Sequence, residues 1–357
     1  MPQLPTFLAI AEGKFGVITA KTAAVAIRYH PERVLGVLDS TSQARTVQEV
    51  LGYGGAIPIL KTFEEGLALG PEAILIGIAP PGGQLPAQWR RWLETAIDRR
   101  LEIWSGLHTF LGDDPALAAR AQATGARLFD LRKPPATIPV STGKARFVDA
   151  HVCLTVGTDC NCGKMTALWE LLRGLEAGGL RTRFVATGQT GILLAGWGIA
   201  IDAVVADFIG GASEQLVLEG AKDADVVLVE GQGSLIHPGY SGVTLGQLHG
   251  SCPASMILCH QASRRLIGEY HGASAWLPIP PLAEMVRIYE DAARPVHPSK
   301  VIGIALNTYD LPEVAARDAV RRAEDETGLP ATDPVRFDRA PLVEAIARAA
   351  RAGRRSA

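Results

Sequence analysis

Residues 152–166 read Val152-Cys153-Leu154-Thr155-Val156-Gly157-Thr158-Asp159-Cys160-Asn161-Cys162-Gly163-Lys164-Met165-Thr166. The first five residues are mostly apolar or β-branched and predict a buried strand, while the segment that follows the lysine predicts a helix. A strand, a Gly-Lys loop and a helix in this order are typical of a phosphate-binding loop. Gly157 and Gly163 allow a tight fold in which main-chain N–H groups, the helix N-terminus and Lys164 all face one anion. We therefore expect an anion-binding loop here.

The loop departs from the standard phosphate-loop pattern at two places. Five residues instead of four separate Gly157 from Gly163, and Met165 stands where a hydroxyl residue ordinarily follows the lysine. Thr166 comes one position later and is the expected magnesium ligand, in a shifted register. The form Gly-Thr-Asp-x-x-x-Gly-Lys resembles the variant loop of dethiobiotin synthetase and its relatives.

The composition limits the class of protein. The chain has 357 residues, of which 47% are hydrophobic and 20% charged, enough for two domains with a large core. A net charge of −2 gives no reason to expect a nucleic-acid partner. No apolar run has the length of a membrane span, no signal peptide is apparent, and five cysteines fit reduced thiols. We expect a cytoplasmic homo-oligomer that does not bind membranes and whose partner is a small amino-acid substrate.

The first half of the chain alternates strands and helices, which predicts a doubly wound α/β domain. Asp39 follows one predicted strand, and a Pro-Pro-Gly-Gly turn at residues 80–83 follows another. Both lie at strand ends, where open α/β sheets bind ligands, but we favour ordinary loop chemistry for each. No G-x-G-x-x-G fingerprint is present. The sequence also predicts a helix from Ala44 to Tyr53 and an edge strand at Ile57–Leu60, where a proline interrupts the pattern. A proline-rich linker at 133–139 places the domain boundary near residue 140.

The second half continues the α/β pattern after the loop. Asp225–Glu230 is a strongly apolar strand that ends in a carboxylate and a glycine-rich turn. In phosphate-loop proteins such a strand lies beside the loop strand, so its final carboxylate faces the phosphates and any metal. A helix is predicted to begin at Ser213, after the glycines at 210 and 211. Asn307 ends a later strand.

Several segments together resemble one family, long catalogued as a domain of unknown function, with a branch described as D-glutamate N-acetyltransferase. The segments are Gly157–Cys160, Gly163–Thr166, Thr187–Gly191, Gly196–Ala203, Val229–Leu235 and Ala305–Thr308. The resemblance implies a Rossmann-like N-terminal domain, residues 1–140, and a P-loop NTPase-like C-terminal domain, residues 141–357, each with a parallel sheet. It also implies acetyl-CoA as cosubstrate in D-glutamate breakdown.

Acetyl transfer to an amine needs a base, donors for the developing oxyanion and a pocket for the acceptor. The candidate bases are Glu230, Asp207 and His237. Gln189 and Thr190 are expected to donate hydrogen bonds to the substrate, and Arg183 or Arg28 to clamp a carboxylate. The residues expected to hold the coenzyme phosphates are Gly157, Thr158, Asp159, Cys160, Asn161, Cys162, Gly163, Lys164, Met165, Thr166 and Asn307.

Two other functions fit the same motifs. One is an ATP-dependent enzyme of the dethiobiotin synthetase type, which activates a carboxylate by phosphorylation and uses ATP with Mg²⁺. The other is a nucleotide-binding protein without catalysis. Transfer of labelled acetyl groups, release of ADP, or tight nucleotide binding without turnover would distinguish the three.

Overall fold

The computed structural model describes residues 4–78, 85–269 and 275–354. It divides into two compact units, which we call unit 1 (Met1–Lys133 with Ile192–Ala203) and unit 2 (Pro134–Gly191 with Val204–Ala357). The Ile192–Ala203 segment belongs to unit 1 although it lies in the second half of the chain. Each unit contains one six-stranded sheet, which confirms the α/β fold with two sheets. The Pro-Pro-Gly-Gly turn at 80–83 lies outside the described residues.

Unit 1 has the strand order of the doubly wound dinucleotide-binding fold. Its strands are β1 (Phe7–Ile10), β2 (Val34–Leu38), β3 (Ile59–Leu60), β4 (Ala73–Ile76), β5 (Glu102–Ser105) and β6 (Leu128–Asp130). Its helices are α1 (Lys21–Tyr29), α2 (Val47–Leu51), α3 (Phe63–Ala68), α4 (Ala87–Asp98) and α5 (Pro115–Thr124). All strand pairs are parallel in the order β3-β2-β1-β4-β5-β6, the Rossmann arrangement. The short β3 is an edge strand, as its proline predicted.

The helix predicted from Ala44 to Tyr53 is shorter in the structure. Thr46 and Glu49 form a capping box that begins α2, and Gly52 ends it with a φ of 76°. Thr46 also forms a bridge to Pro58, so the chain before the helix is extended. Capping and this pairing therefore limit α2 to the turns between Val47 and Leu51.

Unit 2 places the predicted anion loop at the centre of its sheet. Its strands are β7 (His151–Gly157), β8 (Thr182–Val185), β9 (Val226–Val229), β10 (Ser255–Gln261), β11 (Lys300–Asn307) and β12 (Ala331–Thr332). Its helices are α6 (Lys164–Ala177), α8 (Ile209–Gly220), α9 (Ser241–Ser251), α10 (Leu282–Ala293), α11 (Glu313–Thr327) and α12 (Ala340–Arg354). The helix α7 (Gln189–Ala195) begins in unit 2 and ends in unit 1. The parallel order is β12-β11-β10-β7-β9-β8, so β7 lies between β10 and β9. Both sides of β7 are therefore paired with neighbouring strands. The loop after β7 lies at the C-terminal ends of the strands, where α/β folds bind ligands.

The prediction that α8 begins at Ser213 was wrong, because the helix begins at Ile209. A Cβ atom on Gly211 would lie 1.6 Å from the carbonyl oxygen of Pro139, and one on Gly250 would lie 2.1 Å from that of Gly210. The glycines therefore allow α8 to pack closely against α9 and the preceding segment. Gly210 and Gly211 lie inside α8, whereas the sequence prediction placed them before the helix.

Two helices of unit 2, α9 and α10, are not among the elements that the sequence predicted. No helix in the described part of the chain is both long and apolar enough to cross a membrane. Of the two new helices, α10 contributes Tyr289 to the loop region described below.

Candidate functional site

The anion loop joins β7 to α6 with a main-chain path that needs its glycines. Gly163 has a φ of 104°, and Asn161 a φ of 50°, so both lie in the left-handed region. A Cβ atom on Gly157 would lie 2.8 Å from Lys164 Nζ and 2.8 Å from Cys162 Sγ. The strand, loop and helix therefore adopt the arrangement that the motif predicted, with Lys164 as the first residue of α6.

Lys164 is buried at the base of the loop, with 7% of its surface exposed. Its Nζ donates hydrogen bonds to the carbonyl oxygens of Asp159 and Gly233, each at 2.8 Å. Both partners are neutral, so these bonds fix the direction of the ammonium without cancelling its charge. A buried cation held in this way is suited to an oxyanion ligand.

A buried ion pair stabilises the same loop. Asp159 Oδ2 accepts hydrogen bonds from Arg264 Nη1 and from the Gly268 N–H, each at 2.8 Å, and both charged side chains are almost fully buried. Arg264 also donates to the carbonyl oxygen of Cys160 and to Gln261 Oε1. Sequence reasoning missed Arg264, because nothing in its local sequence distinguishes it from a surface arginine.

Tyr289 of α10 is a second residue that the sequence did not indicate. Its side chain is fully buried, and its hydroxyl donates to the Gly157 carbonyl oxygen at 2.7 Å. The hydroxyl oxygen of Tyr289 accepts a hydrogen bond from the Leu235 N–H at 3.2 Å. Tyr289 thus connects the end of β7 to the segment that follows β9. Burial raises the pKa of this hydroxyl, which remains a neutral donor at pH 7.

Glu230 directly follows β9, which pairs with β7, so it has the predicted place in the sheet. Only 2% of its surface is exposed, and Oε2 accepts from the N–H groups of Thr187 at 3.0 Å and Gly188 at 3.2 Å. A Cβ atom on Gly191 would lie 2.2 Å from Oε2. The carboxylate therefore organises the turn that leads into α7.

His237 lies beside the loop. Ligand atoms of Asp159, Cys160 and His237 are all within 4.8 Å of one another. His237 Nδ1 accepts a hydrogen bond from the Gly239 N–H at 3.0 Å, so the neutral ring carries its proton on Nε2. Asp159 already forms an ion pair with Arg264, which makes this trio a poor site for a cation.

The other predicted binding residues lie around the loop and the turn before α7: Asn307, Thr166, Gln189 and Thr190. The Asn307 Cβ lies 3.5 Å from the position that a Cβ on Gly163 would take, so this side chain packs against the loop. Thr166 is half-buried in the first turn of α6, whereas the Met165 side chain is buried. Gln189 and Thr190 form the first turn of α7, directly after the turn that Glu230 holds.

Two other predicted residues of unit 2, Asp207 and Arg183, are not brought to the loop. Asp207 is exposed in a short 3-10 turn, Ala206–Phe208. Arg183 is also exposed, and it lines a cleft with Asp223 where β8 and β9 begin, opposite the edge that carries the loop. Arg28 of unit 1 lies over the ring of Tyr53, with its guanidinium carbon 3.9 Å from the ring centroid.

Comparison with protein families gives two matches along the chain. A model described as "Domain of unknown function (DUF1611_C) P-loop domain" matches residues 139–343. A second, "Domain of unknown function (DUF1611_N) Rossmann-like domain", matches residues 40–134. The two descriptions agree with the sheets of unit 2 and unit 1.

Individual proteins show the same relationship. A D-glutamate N-acetyltransferase from Tritonibacter scottomollicae is 39% identical over 80% of this chain and 84% of its own. Another of that name, from Pseudoalteromonas sp., is 35% identical over 76% of this chain and 80% of its own. The crystal structure of a DUF1611 family protein from Anabaena variabilis ATCC 29413 is 39% identical. The superposition covers 96% of this chain and 99% of the Anabaena protein, with a TM-score of 0.90. The chain therefore belongs to the DUF1611 family, with its Rossmann-like N-terminal and P-loop C-terminal domains.

Proposed function

We propose that this protein transfers the acetyl group of acetyl-CoA to the amino group of D-glutamate. The observation that carries the proposal is the high identity, over most of the chain, to two proteins named D-glutamate N-acetyltransferase. The class of reaction carries over at this similarity, so the protein is an acyltransferase. The donor, the acceptor and the residues that act on them are the parts that we propose.

The anion loop is proposed to hold the phosphates of the coenzyme. Lys164 has a charge that its two carbonyl partners leave uncancelled, and the loop N–H groups and the α6 N-terminus add partial positive charge. A pyrophosphate fits such a cradle whether it comes from coenzyme A or from ATP. The buried Met165 stands where phosphoryl-transfer enzymes of this type place a hydroxyl for magnesium. This favours a loop that binds phosphate without transferring it.

The reaction requires a proton acceptor and a hydrogen-bond donor to the leaving group, and two residues near the loop are suited to these roles. The amine nitrogen attacks the thioester carbonyl carbon; the C–N bond forms, the C–S bond breaks, and the thiolate leaves. We assign the removal of the amine proton to the Glu230 carboxylate. We assign to the Nε2–H of His237 a hydrogen bond to the leaving thiolate, which takes its proton from water. Gln189 and Thr190 are proposed to donate hydrogen bonds to the acceptor or to the oxyanion.

The test uses isotope-labelled acetyl-CoA with D-glutamate, L-glutamate and D-aspartate as acceptors. We expect labelled N-acetyl-D-glutamate as the main product and no dependence on ATP. Glu230→Gln should lower kcat by on the order of 10²–10⁴-fold if the residue transfers a proton. His237→Gln should lower kcat by a smaller factor, because it removes only the hydrogen bond of the imidazole. Glu219→Gln, an exposed glutamate of α8 paired with Lys222, is the matched control and should retain full activity.

The alternatives predict other outcomes of the same assay. ADP release that depends on a carboxylate substrate would replace the proposal with an ATP-dependent enzyme of the dethiobiotin synthetase type. Nucleotide binding without either product would indicate a non-catalytic protein. If Glu230→Gln keeps most of the kcat, the carboxylate serves only to hold the turn before α7.

A further inference from the structure

A cavity of about 330 Å³ lies next to the anion loop in unit 2. The end of β10, the segment after it, the start of α10 and the middle of α11 form its wall. Two wall residues touch the loop directly: the Nδ1 atom of His260 lies 2.9 Å from Thr158 Oγ1, and Arg264 pairs with Asp159. No residue that lines this cavity has a role in the proposed acetyl transfer beyond holding the loop.

The wall carries more positive than negative charge. The guanidinium groups of Arg265 and Arg322 form no ion pair or hydrogen bond with any residue that the structure describes. Arg264 is already neutralised by Asp159. The acid that lines the cavity, Glu326, accepts a hydrogen bond from the Ala283 N–H at 3.0 Å. Two arginines without acidic partners beside a single carboxylate leave the cavity attractive to anions.

His260 adds an imidazole ring to the lining of the cavity. The side chain is buried, with 9% of its surface exposed. Its Nδ1 atom is hydrogen-bonded to the Thr158 hydroxyl, and its Nε2 atom has no hydrogen-bond partner within the described ranges. Burial, with smaller contributions from the charges of Arg264 and Arg265, lowers the pKa of His260 to about 4. The ring is therefore neutral at pH 7. When Thr158 donates to Nδ1, Nε2 carries the proton and can donate it to an acceptor.

We propose that this cavity binds a small molecule that carries two oxyanion groups, either a dicarboxylate or a phosphorylated metabolite. Arg265 and Arg322 would each pair with one anionic group, and His260 Nε2 would donate to an oxygen of the ligand. Pro281 and Leu282 bring the N-terminus of α10, the positive end of its dipole, to the same wall. The volume is within the range of small-molecule sites and too small for a whole coenzyme A.

Calorimetry on the full-length protein, without acetyl-CoA, tests the site with two probes, D-glutamate and inorganic phosphate. We expect at least one probe to bind saturably, and Arg322→Ala to weaken its Kd at least tenfold. Arg321→Ala is the matched control, because Arg321 lies on the same helix, pairs with Asp318 and does not line the cavity. It should change the Kd less than twofold. Binding of D-glutamate that Arg322→Ala weakens identifies a dicarboxylate site in this cavity, and binding of phosphate that Arg322→Ala weakens identifies a phosphate site there.

Two results would overturn the inference. Either neither probe binds, or Arg322→Ala and Arg321→Ala bind as the wild-type protein does. Arg322 is exposed, so its removal is not expected to unfold α11, and thermal melting of each variant checks this. Arg322→Lys separates charge from geometry, because lysine keeps the charge but cannot form the bidentate pair. The result is independent of acetyl transfer, which the labelled-acetyl assay measures separately.

Discussion

The two units use similar sheets, and in each of them a buried carboxylate follows the end of a strand. In unit 1 the buried Asp39 carboxylate, after β2, accepts hydrogen bonds from the N–H groups of Gly13 and Phe15. In unit 2 the buried Glu230 carboxylate, after β9, accepts from two N–H groups in the same manner. A carboxylate at a strand end is thus a device for holding loops in both units. It does not by itself mark a catalytic site.

Among the described residues, unit 2 differs in having a buried lysine, Lys164, in its loop. The Lys164 ammonium donates hydrogen bonds to neutral carbonyl oxygens, and Arg264 forms an ion pair with Asp159. The loops that Asp39 holds in unit 1 are tied by main-chain donors and by the Thr41 hydroxyl. The parallel sheet provides a crevice in either unit, whereas the buried charges beside a crevice determine whether that crevice is suited to an anion.

The largest expected effect is that of Arg264→Ala. It leaves Asp159 as an uncompensated buried charge, which ordinarily lowers the free energy of unfolding by about 3–5 kcal/mol. Hydrogen exchange should show the loss in unit 2 and not in unit 1. Adding Asp159→Asn to Arg264→Ala removes the stranded charge and should recover part of the stability. If the single variant is as stable as the wild-type protein, the ion pair does not hold the loop.

The next effect is acid sensitivity of unit 2 through His151. Burial lowers the pKa of this histidine to about 4, from an ordinary value of 6.5. Between those values the unfolded chain binds a proton that the folded chain does not. The contribution of His151 to the free energy of unfolding therefore falls as the pH drops from 6.5 to 4, by up to about 1.4 kcal/mol per pH unit, and His260 adds a similar contribution in the same range. His151→Gln should flatten this slope in denaturation curves recorded across that range. An unchanged slope would contradict the prediction.

The unit 1 carboxylate responds at lower pH. Burial alone would raise the pKa of Asp39, but hydrogen bonds from Thr41, Gly13 and Phe15 outweigh it and hold the pKa below the usual 3.8. The stability that Asp39 contributes is therefore present above that pH and is lost only as the pH falls through the lowered value. The two units should differ in the pH range where these groups act.

A smaller effect is expected from Lys164→Ala on ligand binding. Loss of a charged hydrogen-bond donor should weaken the affinity for acetyl-CoA by about 1.5–3 kcal/mol, roughly a 10- to 150-fold rise in Kd. Lys222→Ala, an exposed lysine paired with Glu219, is the control and should leave Kd unchanged. Calorimetry that finds the wild-type affinity in a folded Lys164→Ala variant would remove Lys164 from the site.

The smallest effect is that of Asp39→Asn. The amide keeps one acceptor oxygen, so one of the N–H groups of Gly13 and Phe15 loses its partner, at about 1–2 kcal/mol of unfolding free energy in unit 1. Affinity for acetyl-CoA should not change, because the proposed anion loop is in unit 2. Measured stability equal to that of the wild-type protein would show that Asp39 does not hold the loop after β1.

Local patterns predicted much of the scaffold. The apolar runs before Gly157 and before Glu230 became neighbouring strands, and the Gly-Lys pattern became the loop between β7 and α6. Such features depend on residues that are close in sequence, so their periodicity and turn residues can be recognised without knowledge of the fold. The errors occurred where distant packing decides. The glycines before Ser213 resemble a break, but they allow α8 and α9 to touch.

The chemistry around the loop could be predicted only in part, for the same reason. Sequence alone determined that Lys164 ends a glycine-rich loop after a buried strand, because strand, turn and helix signals are local. Only the tertiary structure brought Arg264 to Asp159, 105 positions away, and Tyr289 to Gly157, 132 positions away. It also placed Arg183 at the far end of the sheet from the loop. A buried charge or hydroxyl takes its role from the partner that folding supplies, and no local pattern encodes that partner.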